Sequence, residues 1–158
     1  ANLQKLLTKS SSGIIKGIDY SPVSVEQSRK KNAAAIQAGR GEVVQGNVLE
    51  LPFEDGGFHV VTAFETIYFW PDLLKAFQQV CRVLTDGGTF MICNESNGMN
   101  PKDEKWTDKI EGMRIYNAGQ IKAVLQEAGF CKIKVDQNPK GWLCVTAEKS
   151  GNKKGLGQ

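Results

Sequence analysis

Short apolar runs that alternate with helix-periodic segments constrain this chain more than any other feature of its sequence. "GIIKGID" places Ile14, Ile15 and Ile18 in one short strand, and Ser21 and Pro22 then supply an N-cap and a first helical residue. The Ala-rich helix that follows is expected to run to Gly39, a left-handed stop. "EVVQGN" reads as the next strand, and "HVVTAFE" as the near-continuous apolar run of a strand buried on both faces. Asp72 begins a helix that carries Leu73, Leu74, Phe77, Val80, Cys81 and Leu84 on one face, and "TDGG" is expected to close it. "TFMICNE" is a further strand, and the polar segment 96–113 reads as a loop or lid with a short helix. Asn117 caps a helix bearing Ile121, Val124, Leu125 and Ala128, stopped by Gly129. "FCKIKVD" and "WLCVTAEK" close the chain as a hairpin around "QNPKG". With a first helix in "ANLQKLLTK", the order is α, β, α, β, β, α, β, α, β, β, without an internal repeat. Such alternation implies an α/β fold: a mostly parallel sheet with helices on both faces and a C-terminal antiparallel hairpin.

A chain of 158 residues is long enough for one domain with a sizeable core, expected over 1–149. The polar, glycine-rich tail 150–158 is expected to be disordered. The net charge of +3 is small and the cations are scattered, which argues against a nucleic-acid surface, since phosphate binding needs clustered cations. Cys81, Cys93, Cys131 and Cys144 form no C-x-x-C pair and read as free thiols in a reducing compartment. No window approaches the roughly 18 apolar residues of a membrane span, and no signal peptide is visible, so the expected location is cytoplasmic and no membrane partner is expected. His59 is the single histidine, and without a second histidine or a cysteine cluster no metal site is expected.

In open α/β sheets, ligands bind beyond the carboxyl ends of the strands. Three such ends carry suitable groups: Asp19, Asn47 after "VVQG", and Glu65 with Thr66 after "HVVTAF". A carboxylate accepts two hydrogen bonds from a ribose diol, and an amide both donates and accepts at an adenine edge. Val48 and Leu49 offer apolar contact to a flat base. Each residue also has a plain structural reading, because an Asp before Ser-Pro and a Gly-Asn pair are both turn formers. Tyr68, Phe69 and Trp70 read equally as the wall of a substrate pocket or as core.

Together these segments resemble the class I S-adenosylmethionine-dependent methyltransferases of the small-molecule type, across nearly the whole chain. "GIDYSP" is similar to that family's acidic motif at the end of strand two, and "VVQGNVLELPFEDGGFHVVTAFETIYFWPD" to its third-motif region and strand four. "VCRVLTDGGTFMI" resembles the family's "RVLKPGG" and strand five, with Thr85 and Asp86 replacing Lys-Pro, and "YNAGQIKAVLQEAGF" its late helix and turn. The resemblance implies a Rossmann-like fold and S-adenosylmethionine as cofactor. It implies Asp19 and Tyr20 at the ribose, and Asn47, Val48 and Leu49 at the adenine, with Asn47 standing where the family commonly has an acid. Phe64 and Glu65 would lie near the methionine portion, and Thr66 and Tyr68 near a small-molecule acceptor; no catalytic residue is assigned. His59 falls at the end of its strand remote from the cofactor and is read as structural.

The family's first strand and glycine-rich loop should precede the first helix, and this sequence is expected to lack them. The flanking strands are then expected either to pair directly or to be completed by a second copy, through dimerisation or strand exchange. A non-catalytic remnant or binding module of the same fold is the alternative from another class. A nicotinamide-dependent oxidoreductase is the other enzymatic alternative, since Asp19 would equally hold an adenosine ribose. The "RVL…GG" segment and the closing hairpin count against that last reading.

Overall fold

A computed structural model of the chain describes residues 2–151, and the chain divides into two units, 1–52 and 53–158. The first unit contains α1 (Asn2–Lys9), β1 (Ile15–Asp19), α2 (Pro22–Lys31), α3 (Ala33–Gln37) and β2 (Gly41–Gln45). β1 pairs with β2 in parallel, Ile15 opposite Gly41 and Asp19 opposite Gln45. A parallel pair needs a long crossover, which α2 and α3 supply. Leu3, Leu7, Val25 and Val43 form the core of this unit, with Ile15, Ala35 and Ile36 packed against them. The Arg29 guanidinium ties α2 to β2 by donating to the Val43 carbonyl from Nε at 3.0 Å and Nη2 at 2.8 Å. Ser21 caps α2 as expected, its hydroxyl accepting from the Ser24 N–H at 3.3 Å.

The single Ala-rich helix expected up to Gly39 is two helices. Asn32 divides them: its backbone N–H and its side-chain Nδ2 both donate to the Ser28 carbonyl, at 3.1 and 2.7 Å. An Asn side chain that competes for a backbone carbonyl favours such a break over a helix interior. Gly39 does adopt the left-handed conformation, with φ of 75°.

The second unit contains β3 (Phe58–Phe64), a 3-10 turn (Ile67–Phe69), α4 (Leu73–Val83), β4 (Leu84–Asn94), α5 (Pro101–Lys109), α6 (Ala118–Glu127), β5 (Phe130–Gln137) and β6 (Leu143–Lys149). Its sheet has the order β3-β4-β6-β5, with β3 and β4 parallel and β6 antiparallel to both neighbours. The expected hairpin is therefore present, its second strand inserted beside β4. Period-2 alternation divides the sheet faces. Phe90, Ile92 and Asn94 of β4 lie opposite Ala147, Val145 and Leu143 of β6, and all six are buried. α4 packs on β4 and on α6, which in turn meets β5 and β6. Phe77 of α4 meets Phe90 edge-on at 5.3 Å, and Phe90 meets Phe130 at 5.6 Å.

Two expectations for this unit need correction. "TDGG" does not separate α4 from a later strand, because β4 begins at Leu84, directly after Val83. Residues 85–88 form an irregularity inside β4: Phe58 pairs with Leu84, but Val60 pairs with Thr89. Leu84 is fully buried and extended, which ends the helix there. Nor is β3 buried on both faces: His59 is exposed and Val60 is 57% exposed, and among the described residues β3 has a strand neighbour on one side only. β1 and β3 belong to different sheets, so the direct pairing given above as one expectation does not occur among the described residues. No described helix is long and apolar enough to cross a membrane. The tail expectation concerns mainly 152–158, outside the described residues; Ser150 itself donates to the Gly129 carbonyl at 3.3 Å.

The "RVLTDGG" segment has a structural role here. Arg82 donates to the Phe53 carbonyl at 2.8 Å and pairs with Asp55 at 2.7 Å, while Lys149 donates to the Leu84 carbonyl at 2.8 Å. A Cβ at Gly88 would stand 2.8 Å from the Thr85 carbonyl oxygen and 3.1 Å from that of His59, both backbone. Gly88→Ala is expected to destabilise the fold by about 1–3 kcal/mol, read as a lowered denaturant midpoint. Asp72 caps α4 by accepting from the Lys75 N–H at 3.0 Å. Asp72→Ala is expected to cost about 0.5–2 kcal/mol in the same measurement, with Asp72→Asn nearly neutral.

Candidate functional site

The parallel pairing of β1 and β2 brings their carboxyl ends side by side. Asp19 is the last residue of β1, and its carbonyl accepts from the Gly46 N–H at 3.1 Å, so the turn carrying Asn47 lies directly beside it. Asp19 Oδ1 accepts from the Ser21 N–H at 2.9 Å, the local turn bond that its sequence context suggested. The other oxygen, Oδ2, makes no hydrogen bond among the described residues, and the residue is exposed. Asn47 repeats the pattern. Its Oδ1 accepts from the Leu49 N–H at 2.9 Å, leaving Nδ2 without a hydrogen-bond partner among the described residues. Val48 and Leu49 follow, half-buried, and Tyr20 is 78% exposed, its carbonyl accepting from Gln45 Nε2 at 3.3 Å. Local turn bonds and ligand-competent atoms thus coexist on the same two side chains.

The second unit gathers the other candidates where β3 and β4 end, again side by side because the strands are parallel. Phe64, the last residue of β3, lies opposite Cys93. Glu65 has φ of 52°, in the left-handed region that a non-glycine residue rarely occupies. It is held there from both sides. Its N–H donates to the Cys93 carbonyl at 2.9 Å, and its carboxylate Oε1 accepts from the Glu95 N–H. Thr66 precedes the 3-10 turn, which carries Tyr68 and Phe69. Tyr68 is only 3% exposed, and its hydroxyl accepts from the Ser96 N–H at 3.0 Å while lying 3.3 Å from the Ser96 carbonyl. Trp70 packs edge-on against Phe77 at 6.0 Å, and Phe69 is exposed. Of the three aromatics, Phe69 presents its ring to solvent and the other two serve the interior.

Burial shapes the titration of this cluster. The Glu65 carboxyl is raised above its ordinary value of 4.5, chiefly because its carboxylate is folded back and desolvated. The Glu95 N–H and the Tyr68 hydroxyl oppose that rise without cancelling it, and the Glu95 charge adds to it. Burial also lifts the Tyr68 phenol, helped by the Glu65 charge, so it remains a neutral hydroxyl. The Cys93 thiol is pushed up to about 12 by burial and then by the Cys144 sulfur and the Glu65 charge. His59 lies at the opposite end of β3 from Glu65, apart from this cluster.

Glu95, Ser96 and Asn94 were not anticipated from the sequence. "CNES" carried the signal, since it ends the strand parallel to "HVVTAFE" and must emerge beside it. Asn94 is 2% exposed, and neither Oδ1 nor Nδ2 has a hydrogen-bond partner among the described residues. The loop beyond is closely tied. Asn97 Oδ1 accepts from the Met99 N–H at 2.9 Å, and Asp103 Oδ2 accepts from the Gly98 N–H at 3.0 Å.

Comparison with known proteins bears on the family and the fold. A family model described as a methyltransferase domain matches residues 1–92. Demethylmenaquinone methyltransferase of Staphylococcus aureus strain MRSA252 is 36% identical over 87 residues, covering 55% of this chain and 34% of the relative. The chain thus spans about a third of the length of the curated relatives it matches. Among solved structures, one chain comes from the complex between the Haloferax volcanii Trm112 methyltransferase activator and a methyltransferase candidate. It superposes with a TM-score of 0.83 at 19% identity, covering 94% of this chain and 76% of that one. A SAM-dependent methyltransferase of Aquifex aeolicus gives a TM-score of 0.75 at 18% identity, covering 92% of this chain and 74% of that one. The structural likenesses establish the fold, and the family match covers more than half of the sequence. The chain belongs to the methyltransferase-domain family, of the class I kind whose cofactor is S-adenosylmethionine.

Proposed function

We propose that the function is methyl transfer from S-adenosylmethionine to a small-molecule acceptor. The observation that supports this reading most directly is the pair of half-used side chains in the first unit. Asp19 keeps Oδ2 open at an exposed strand end, suited to a ribose diol, and Asn47 keeps Nδ2 open beside it, suited to an adenine nitrogen. Val48 and Leu49 supply apolar surface, and Tyr20 an exposed ring. This donor set fits the adenosine half of the cofactor.

When bound, the cofactor supplies an electrophilic methyl group on a sulfonium. The chain's own residues then have to orient an acceptor and exclude water. Phe64 and Glu65 are proposed for the methionine portion and Thr66 for the acceptor, while Tyr68 holds the Ser96 backbone in place. Exposed Phe69, Met99, Trp106 and Ile110 in the second unit suit an apolar acceptor. The name of the Staphylococcus aureus relatives, demethylmenaquinone methyltransferase, is consistent with a small organic acceptor of that character.

Isothermal titration with S-adenosylhomocysteine tests the cofactor half of the reading. Saturable binding is expected, weakened about tenfold or more by Asp19→Ala, equivalent to about 1.4 kcal/mol. Binding that is absent at millimolar ligand, or unchanged in the variant, overturns it.

Glu65 gives a second, pH-resolved expectation. Its folded-state proton affinity exceeds the unfolded one, so the folded chain holds more protons above pH 4.5 and stability falls as pH rises through that window. Glu65→Gln removes this titrating group. Its stability relative to the parent chain is expected to increase between about pH 4 and about pH 7, measured by denaturant midpoints at each pH. A constant difference would show that Glu65 titrates normally.

A further inference from the structure

Cys93 and Cys144 play no part in the proposed chemistry, yet their placement is specific. They lie directly opposite each other in the antiparallel β4–β6 ladder, and their sulfurs are 3.3 Å apart. Directly opposed residues in such a ladder have Cα atoms about 4.5 or about 5.5 Å apart, depending on the hydrogen-bonding pattern. Both separations fall within the span that a disulfide bridges, about 4.4–6.8 Å. The sulfurs already face one another, so closing the bond requires side-chain adjustment and no change of register. Both residues lie on the half-buried face of the sheet, with Met91 and Thr146 one pair further along, and neither is sealed in the core. The other two cysteines are placed elsewhere. Cys81 is on α4, its sulfur facing Gly129, and Cys131 on β5 pairs with Glu148.

We infer that Cys93 and Cys144 form a reversible intrachain disulfide, a redox modification site at the end of β4, beside the strand end that carries Glu65. A low-molecular-weight disulfide such as glutathione disulfide is the oxidant. One cysteine, as thiolate, attacks a sulfur of that disulfide and expels one glutathione thiolate, giving a mixed disulfide. The second cysteine thiolate then attacks the protein-bound sulfur, forms the Sγ–Sγ bond and expels the other glutathione thiolate. The two protons leaving the cysteines end on the two glutathione thiols. The protein loses two electrons and the oxidant gains them. The Cys93 carbonyl accepts the Glu65 N–H, so the bond pins the strand end from which the strained Glu65 turn is suspended. The high proton affinity of the Cys93 thiol makes exchange slow near neutral pH without changing its endpoint.

The test uses the reduced chain incubated with excess glutathione disulfide at mildly alkaline pH, followed by thiol titration, intact mass and peptide mapping. Two of the four thiols are expected to disappear with a mass decrease of about 2 Da, and Cys93 and Cys144 to be recovered in one linked peptide pair. Dithiothreitol is expected to restore all four thiols. In Cys144→Ser the mass decrease is expected to vanish, with Cys93 either free or carrying one glutathione; Cys93→Ala serves as the reciprocal variant. Glutathione adducts without mass loss in the parent chain, a link between other cysteines, a covalent dimer, or four persisting thiols would each overturn the inference. None of these readouts depends on cofactor binding, so the outcome is independent of the proposed function.

Discussion

The chemistry of this chain depends on strand direction. β1 and β2 run in parallel, as do β3 and β4, so residues that follow one strand emerge beside those that follow its neighbour. That constraint sets Asp19 next to the turn bearing Asn47, and Glu65 next to Glu95 and Ser96. Antiparallel pairing would have put each candidate at the opposite end from its companion. The helices matter functionally because they make parallel pairing feasible: a crossover of this kind returns the chain to the same starting edge.

The fold was legible where local chemistry and periodicity agreed. Ser21-Pro22, Asp72 and the Asn117–Gln120 capping box announce helix starts, and each does so through a side-chain oxygen on a free backbone N–H. Gly39 and Gly129 announce helix stops by adopting positive φ. Legibility failed where a single side chain overrode the pattern. Asn32 breaks a helix that its alanine-rich surroundings favour, because its own amide seeks the Ser28 carbonyl. "TDGG" carries the composition of a terminator and lies within β4, because Leu84 is drawn into the interior before the glycines are reached. The apolar run of β3 suggested full burial, but apolarity does not reveal whether a strand has one neighbour or two.

The candidate site was legible as residue types and strand ends, and less so as bonding. Asp19 and Asn47 were weighed as either turn formers or ligand groups. Each in fact uses one oxygen for the turn, so the two readings do not compete. The left-handed Glu65 had no marker in the sequence. Its conformation arises from two long-range bonds, one to Cys93 of β4 and one to Glu95 just beyond it, and local propensity would have argued against it. The facing thiols were equally hidden, since register across β4 and β6 joins positions 51 residues apart.

The edge position of β3 has a colloidal consequence. "FHVVTAF" is a seven-residue window without proline, glycine or an acidic residue, and it presents Val60 to solvent. Among the described residues β3 pairs on one side only, and a strand edge beside an apolar, weakly charged window forms a template for association between chains. Protein concentration therefore acts on the dispersal of this chain through one strand, separately from any effect on how firmly each copy is folded.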